Sequence, residues 1–257
     1  LGIGGALNNA GSLRANDAVT VRSTVNGADL SVSNLATGVI EAKGALSIAN
    51  QNGAAAAGED LAVTNAAGGA IAGGTVDLRG TSLNNAGTVQ GTTSSQLALA
   101  TLTNQGGAKI ITSTAAGAAS SITTSGTFTN QGATHGTGNL SITAPTLANS
   151  GTVTSGATLA LTGETVNNTG TGTLQGATAL NATLTGDLNN TGATAKIIAG
   201  TAAGGSSTLT ARHASNSGVI HSAGNLTLDA VQITNAATGG ISALGNLALN
   251  ATRSPAG

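Results

Sequence analysis

Residues 146–163 read Thr-Leu-Ala-Asn-Ser-Gly-Thr-Val-Thr-Ser-Gly-Ala-Thr-Leu-Ala-Leu-Thr-Gly, and their alternation decides the fold. Leu147, Asn149, Gly151 and Val153 share one parity, and Leu159 and Leu161 share theirs. In an extended chain, residues of one parity face the same side. Each apolar run is only two or three alternating positions long, too short for a helix, whose apolar residues recur at i, i+3, i+4 and i+7. Between the runs stand Asn-x-Gly, Ser-Gly, Thr-Gly and Gly-Asn-Leu pieces, the last at Gly138-Asn139-Leu140, Gly224-Asn225-Leu226 and Gly245-Asn246-Leu247. Such residues turn the chain abruptly at little steric cost. Each unit therefore reads as two or three short strands joined by bends.

The unit recurs. An apolar residue is followed two places later by Asn, and mostly by Gly two further on, at Leu7/Asn9/Gly11, Leu83/Asn85/Gly87, Leu102/Asn104/Gly106, Phe128/Asn130/Gly132, Leu147/Asn149/Gly151, Val166/Asn168/Gly170, Leu188/Asn190/Gly192 and Ala214/Asn216/Gly218. Looser copies surround Asn34, Asn65 and Asn235. From Asn65 onward the numbers of successive asparagines differ by 20, 19, 26, 19, 19, 22, 26 and 19. A period near 20 is the mark of a solenoid, because one unit cannot bury its apolar side alone but stacked units pair every strand with its equivalents. The expected architecture is all-β: a right-handed parallel β-helix of about 20 residues per coil. Residues 1–257 form a single domain of roughly 12–13 coils, a rod about 60 Å long. The chain opens on Leu1 rather than Met and closes on Ser254-Pro255-Ala256-Gly257 in mid-rhythm, so it reads as a segment of a longer shaft.

Parity places the repeating Asn inward at a corner, where its amide can donate and accept at once. Asn9, Asn34, Asn65, Asn85, Asn104, Asn130, Asn149, Asn168, Asn190, Asn216 and Asn235 are thus expected to form a structural ladder up the shaft rather than a ligand site. Hydrophobic residues make up 39% of the chain, but they are almost wholly Ala, Val, Ile and Leu, with one Phe and no Trp, Tyr, Met or Cys. A narrow interior accepts one thin layer of aliphatic side chains per coil and has little room for rings. Charged residues are 7% and the net charge is −1, which disfavours nucleic acid and anionic membranes, since both require basic patches. No apolar run is long enough for membrane insertion. The absence of cysteine suits a protein that crosses membranes unfolded.

Chemistry is sparse. The acids Asp17, Asp29, Glu41, Glu59, Asp60, Asp77, Glu164, Asp187 and Asp229 stand at differing offsets from the preceding repeat Asn, so they are expected in different columns with no two converging on adjacent coils. Glu59 and Asp60 are adjacent in sequence and read as a solvated bend. His213 and His221 flank the Asn216 corner beside Arg212, the one polar cluster with chemical promise, and His135 is remote from them. Calcium-binding GGxGxD repeats are absent, and one Phe offers no platform for stacking sugars. No catalytic residue, metal site or cofactor is expected.

A longer period overlies the short one. The steps from Asn104 to Asn130 and from Asn190 to Asn216 are both 26, and Lys109-Ile110-Ile111 recurs as Lys196-Ile197-Ile198 at an offset of 87. The extra residues of these long coils, near Ala115 to Ser121 and Ala202 to Ser207, are expected on one face as surface loops, either inert or repeated docking points.

Units such as Leu147-Ala148-Asn149-Ser150-Gly151-Thr152-Val153, and Ser215-Asn216-Ser217-Gly218-Val219-Ile220 leading to Gly224-Asn225-Leu226-Thr227-Leu228, resemble the repeats of filamentous haemagglutinin proteins. These are large two-partner-secreted exoproteins of Gram-negative bacteria, including adhesins and the stick-like proteins of contact-dependent growth inhibition. The resemblance implies a virulence-associated shaft, secreted and displayed on the bacterial cell surface, that carries a binding or toxic tip away from the cell. Its implied partner is an outer-membrane transporter, engaged through a domain outside this segment. Two other readings stand beside it: a module that binds a host-cell receptor or glycan directly, and, less favoured, a β-helix enzyme that degrades polysaccharide.

Overall fold

The computed structural model describes residues 1–24, 28–49 and 60–251. Among them every regular element is a strand, every pairing is parallel, and the chain winds into a β-solenoid of about 11 turns with about 21 residues per turn. The count falls short of 12–13 because the turns are unequal. The steps from Asn9 to Asn34 and from Asn34 to Asn65 are 25 and 31, and two later steps are 26.

Each turn lends one segment to each of three sheets. Thr127–Asn130 lies in the first and Ala133–Gly136 in the second. Asn139–Asn149 begins in the third and bends, so that its last four residues enter the first sheet of the next turn. Registers then run straight up the stack. Phe128 pairs with Leu147, Leu147 with Val166 and Val166 with Leu188 in the first sheet. Thr134, Val153, Leu174 and Ile197 follow one another in the second, and Leu140, Leu159 and Leu180 in the third.

The alternation that fixes this register also fixes the core. Within the strands of the interior turns buried residues alternate with exposed or half-buried ones, so each turn sends only a few aliphatic side chains inward. Burying one Leu, Ile or Val stabilises by roughly 1.5–3 kcal/mol, too little for a lone turn to hold itself against its chain entropy, so stability resides in the stacking of neighbours. Phe128, the one aromatic residue, is fully buried between Leu102 and Leu147 of the adjacent turns.

At one bend the backbones approach so closely that only glycine fits. Gly163 pairs with Ala144 of the preceding turn, and a Cβ at Gly163 would run into the Ala144 carbonyl oxygen.

Candidate functional site

The feature that repeats through the whole described stack is the asparagine column at the corner after the first sheet. Asn149 shows its chemistry. Its Nδ2 donates to Asn168 Oδ1 at 2.7 Å, to the Thr173 carbonyl of the next turn at 3.2 Å and to the Gly151 carbonyl of its own corner at 3.2 Å. Its Oδ1 accepts from Asn130 Nδ2 at 2.7 Å. The same side-chain step links Asn9 to Asn34, Asn34 to Asn65, Asn65 to Asn85, Asn85 to Asn104 and Asn104 to Asn130 at 2.8–2.9 Å. It continues from Asn168 through Asn190 and Asn216 to Asn235 at 2.7–2.8 Å. Asn34 through Asn190 are no more than 1% exposed. Every step donates in the same direction, towards the higher residue number, so the amide dipoles line up and reinforce one another. The ladder occupies all of these amides in holding corners to one another.

The charged residues are arranged less randomly than their offsets suggested. Asp29 and Asp60 precede the paired residues Leu30 and Leu61 and stack on adjacent turns, contrary to the expectation that no two acids would. The Asp60 amide donates to Asp29 Oδ1 at 2.9 Å, and Thr81 Oγ1 donates to Asp60 Oδ1 at 3.0 Å. The offsets misled because turn length varies before the strand. Counted back from the following asparagine, Asp29 and Asp60 both stand five places ahead, of Asn34 and Asn65. Glu59, the sequence neighbour of Asp60, lies outside the described residues.

The same backward count finds a second vertical pair. Asp187 and His213 are each three places before a ladder asparagine and are register partners, with His213 Nδ1 2.8 Å from Asp187 Oδ1. His213, His221 and Arg212 do not form the cluster expected around Asn216. His213 lies in the first sheet and His221 in the second, where its Nδ1 is 2.9 Å from Ser242 Oγ. His135 likewise meets a hydroxyl one turn on, Thr154 Oγ1, at 2.8 Å. Asp77 and Asp229 are two places out of column, since Asp229 shares the register line of Arg79. Asp77 instead takes an ion pair with Arg79 at 2.8 Å. Glu41 pairs with Arg14 at 3.2 Å. All of these pairs are substantially solvent-exposed, and among the described residues no group of three or more His, Cys, Asp and Glu could hold a metal ion.

The two long turns match in detail. Lys109 and Lys196 occupy one register line, linked through Ala133, Thr152 and Thr173, and so stand four turns apart. Their loops 114–118 and 201–205 emerge at the same corner, between the second and third sheets, and are mostly exposed. Gly117 and Gly204, again 87 apart, have φ of 75° and 84° there, a conformation that favours glycine. The expected loop bounds were too wide, because Ala119–Thr124 and Ser206–Asn216 are strands and Ser120 and Ser207 are buried. The extra residues are also shared between corners. In the first long turn, 105–108 replaces the two-residue corner 131–132, and 114–118 replaces 137–138. The enlarged corner at 105–108 leaves a shallow open groove of about 310 Å³, lined by Lys109, Gln131, Gly151 and Thr171 among others.

Fold and ladder define a parallel β-solenoid with an internal asparagine spine. Set against protein-family models, curated proteins and solved structures, the chain matches none.

Proposed function

We propose that this chain is the structural shaft of a large secreted bacterial surface exoprotein of the filamentous haemagglutinin kind, extending a binding or toxic tip from the cell. One observation carries the reading: ten consecutive amide steps run without a break from Asn9 to Asn235, so the most constant chemistry of the chain is spent on holding turns together. The polar residues outside the ladder add support, being vertical pairs between neighbouring turns rather than groups converging on a cavity. In this reading the segment is neither an enzyme nor a cofactor carrier, and its outer-membrane transporter is engaged by a domain outside it.

A second reading rests on the loops 114–118 and 201–205. Equivalent exposed loops on one corner, four turns or about 19 Å apart, would suit a module that docks a host receptor or glycan at two points. A glycan array and a cell-attachment assay on the purified chain separate the two. The shaft reading expects no retention. Saturable attachment that disappears when both loops are shortened to two residues would replace it with the binding module.

A further inference from the structure

The junction between the turns 165–184 and 187–211 is unevenly bonded. In the first sheet Val166, Asn167, Asn168 and Thr169 pair in full with Leu188, Asn189, Asn190 and Thr191, and the ladder step from Asn168 to Asn190 is 2.7 Å. In the second, Thr173, Leu174 and Gln175 pair with Lys196, Ile197 and Ile198. In the third, the pairing of Ala179–Leu184 with the turn above shrinks to Ala182 with Leu209 and Thr183 with Thr210, whereas the same strand pairs along its whole length with the turn below. Side chains stand in where the backbones part. The Thr208 amide donates to Asn181 Oδ1 at 3.1 Å, and the Leu180 amide reaches Ser207 Oγ at 3.0 Å and the Ala199 carbonyl at 3.3 Å. The apolar column breaks at the same place: Leu140, Leu159 and Leu180 follow one another up the third sheet, Ser207 comes next, and Leu226 resumes the column. The junction below the other long turn, between 94–99 and 119–124, is built alike but more mildly. Its ladder starts only at Gln96 with Ser121, the Ser95 amide donates to Ser120 Oγ at 3.1 Å, and the two serines interrupt the column between Val76 and Leu140.

We propose that the solenoid bends at these two junctions, the turns on either side pivoting about the asparagine corner and opening or closing the third sheet. The asparagine corner lies between the first and second sheets, opposite the third, so the firmest bonds of the junction sit at the pivot and the sparsest at the far edge. A backbone ladder fixes two strands along their length, whereas a bond through one side chain lets them part by a change of rotamer. A serine in place of leucine also withdraws apolar surface whose burial would resist opening. Both junctions are sparse on the same face and stand four turns apart, so their bends add in one direction and the turns between them move as a block. The joint belongs to the fold and is the same whether the chain serves as a shaft or as a binding module.

The chain contains no cysteine, so pairs of introduced cysteines can carry spin labels for distance measurement by pulsed electron paramagnetic resonance. Ser141 and Thr227 stand on the outer face of the third sheet and Thr129 and Ser215 on that of the first. Each pair spans four turns, about 19 Å, across the later junction. The variant Ser141→Cys, Thr227→Cys should give a broader distance distribution than Thr129→Cys, Ser215→Cys. Adding Asn181→Ala, at an exposed position, removes a stand-in bond. It should broaden the third-sheet distribution further and leave both the first-sheet distribution and the circular dichroism unchanged. By hydrogen exchange, the Leu180 and Thr208 amides should exchange roughly tenfold or more faster than their register equivalents Leu159 and Thr227, which lie in unbroken ladders. Distributions of equal width overturn the proposal. So does equal broadening of both pairs by Asn181→Ala, or protection of Leu180 and Thr208 that matches Leu159 and Thr227.

Discussion

Ser120 and Ser207, 87 apart in sequence, fasten the bases of two equivalent corner loops in the same way. Ser120 Oγ donates to the Thr112 carbonyl at 2.9 Å and accepts from the Ser95 amide of the preceding turn at 3.1 Å. Ser207 Oγ donates to the Ala199 carbonyl and accepts from the Leu180 amide of its preceding turn at 3.0 Å. Thr112 and Ala199 are themselves 87 apart. At the loop base a buried hydroxyl bridges an amide of the preceding turn and a carbonyl of its own turn, and at Ser207 the two bridged groups, the Leu180 amide and the Ala199 carbonyl, also meet directly at 3.3 Å.

Ser120→Ala should therefore destabilise more than loop removal does. It leaves a buried amide and a buried carbonyl without their partner, and each such group costs about 1–3 kcal/mol. Replacing 114–118 by the two-residue corner Thr-Gly found at 137–138 should change stability by no more than about 0.5 kcal/mol, because those residues are mostly exposed. Urea unfolding of the two variants checks the order, and a larger loss from the loop replacement would count against it.

Asn149→Leu removes both the acceptor for Asn130 and the donor to Asn168, Thr173 and Gly151. The expected loss is at least about 1–3 kcal/mol, the cost of leaving one buried polar group unpaired. Since each turn contacts only its neighbours, hydrogen exchange should rise first at turns holding Asn130 and Asn168. An unchanged unfolding midpoint would show that the ladder contributes nothing to stability.

Glycine substitutions should split by position. Gly163→Ala drives a Cβ into the Ala144 carbonyl oxygen, and overpacking of this kind costs about 1–3 kcal/mol. Gly106 has open space around its Cβ position and no left-handed φ, so Gly106→Ala should stay within about 0.5 kcal/mol of wild type. Thermal unfolding of the two variants side by side gives the comparison, and equal effects would refute the close-approach account of Gly163.

His213→Ala should lower stability by no more than about 0.5–1.5 kcal/mol, the net contribution of one side-chain hydrogen bond, here the exposed contact to Asp187. The His213 and Asp187 side chains are 43% and 45% exposed, so water can replace the lost partner of either group. A loss of several kcal/mol would mean that the Asp187–His213 pair holds the corner in a way its exposure does not suggest.

The sequence by itself determined the repeat, the strand alternation and the inward side of the asparagine column. These are local properties: parity along an extended segment and the return of Asn two places after an apolar residue, as in Leu147 and Asn149. What stands above what, and in which coil, is not local. The length of each corner sets the vertical neighbour of every residue, and corners vary from two residues at 131–132 to five at 114–118. Counting forward from the preceding asparagine across such corners separated Asp29 from Asp60 and missed Asp187 under His213, while counting back along a strand of fixed length finds both. The direction of the ladder, donor to acceptor from Asn9 to Asn235, was decided only in the folded stack, because an asparagine amide can serve either way until its backbone neighbours at the corner claim the Nδ2 hydrogens.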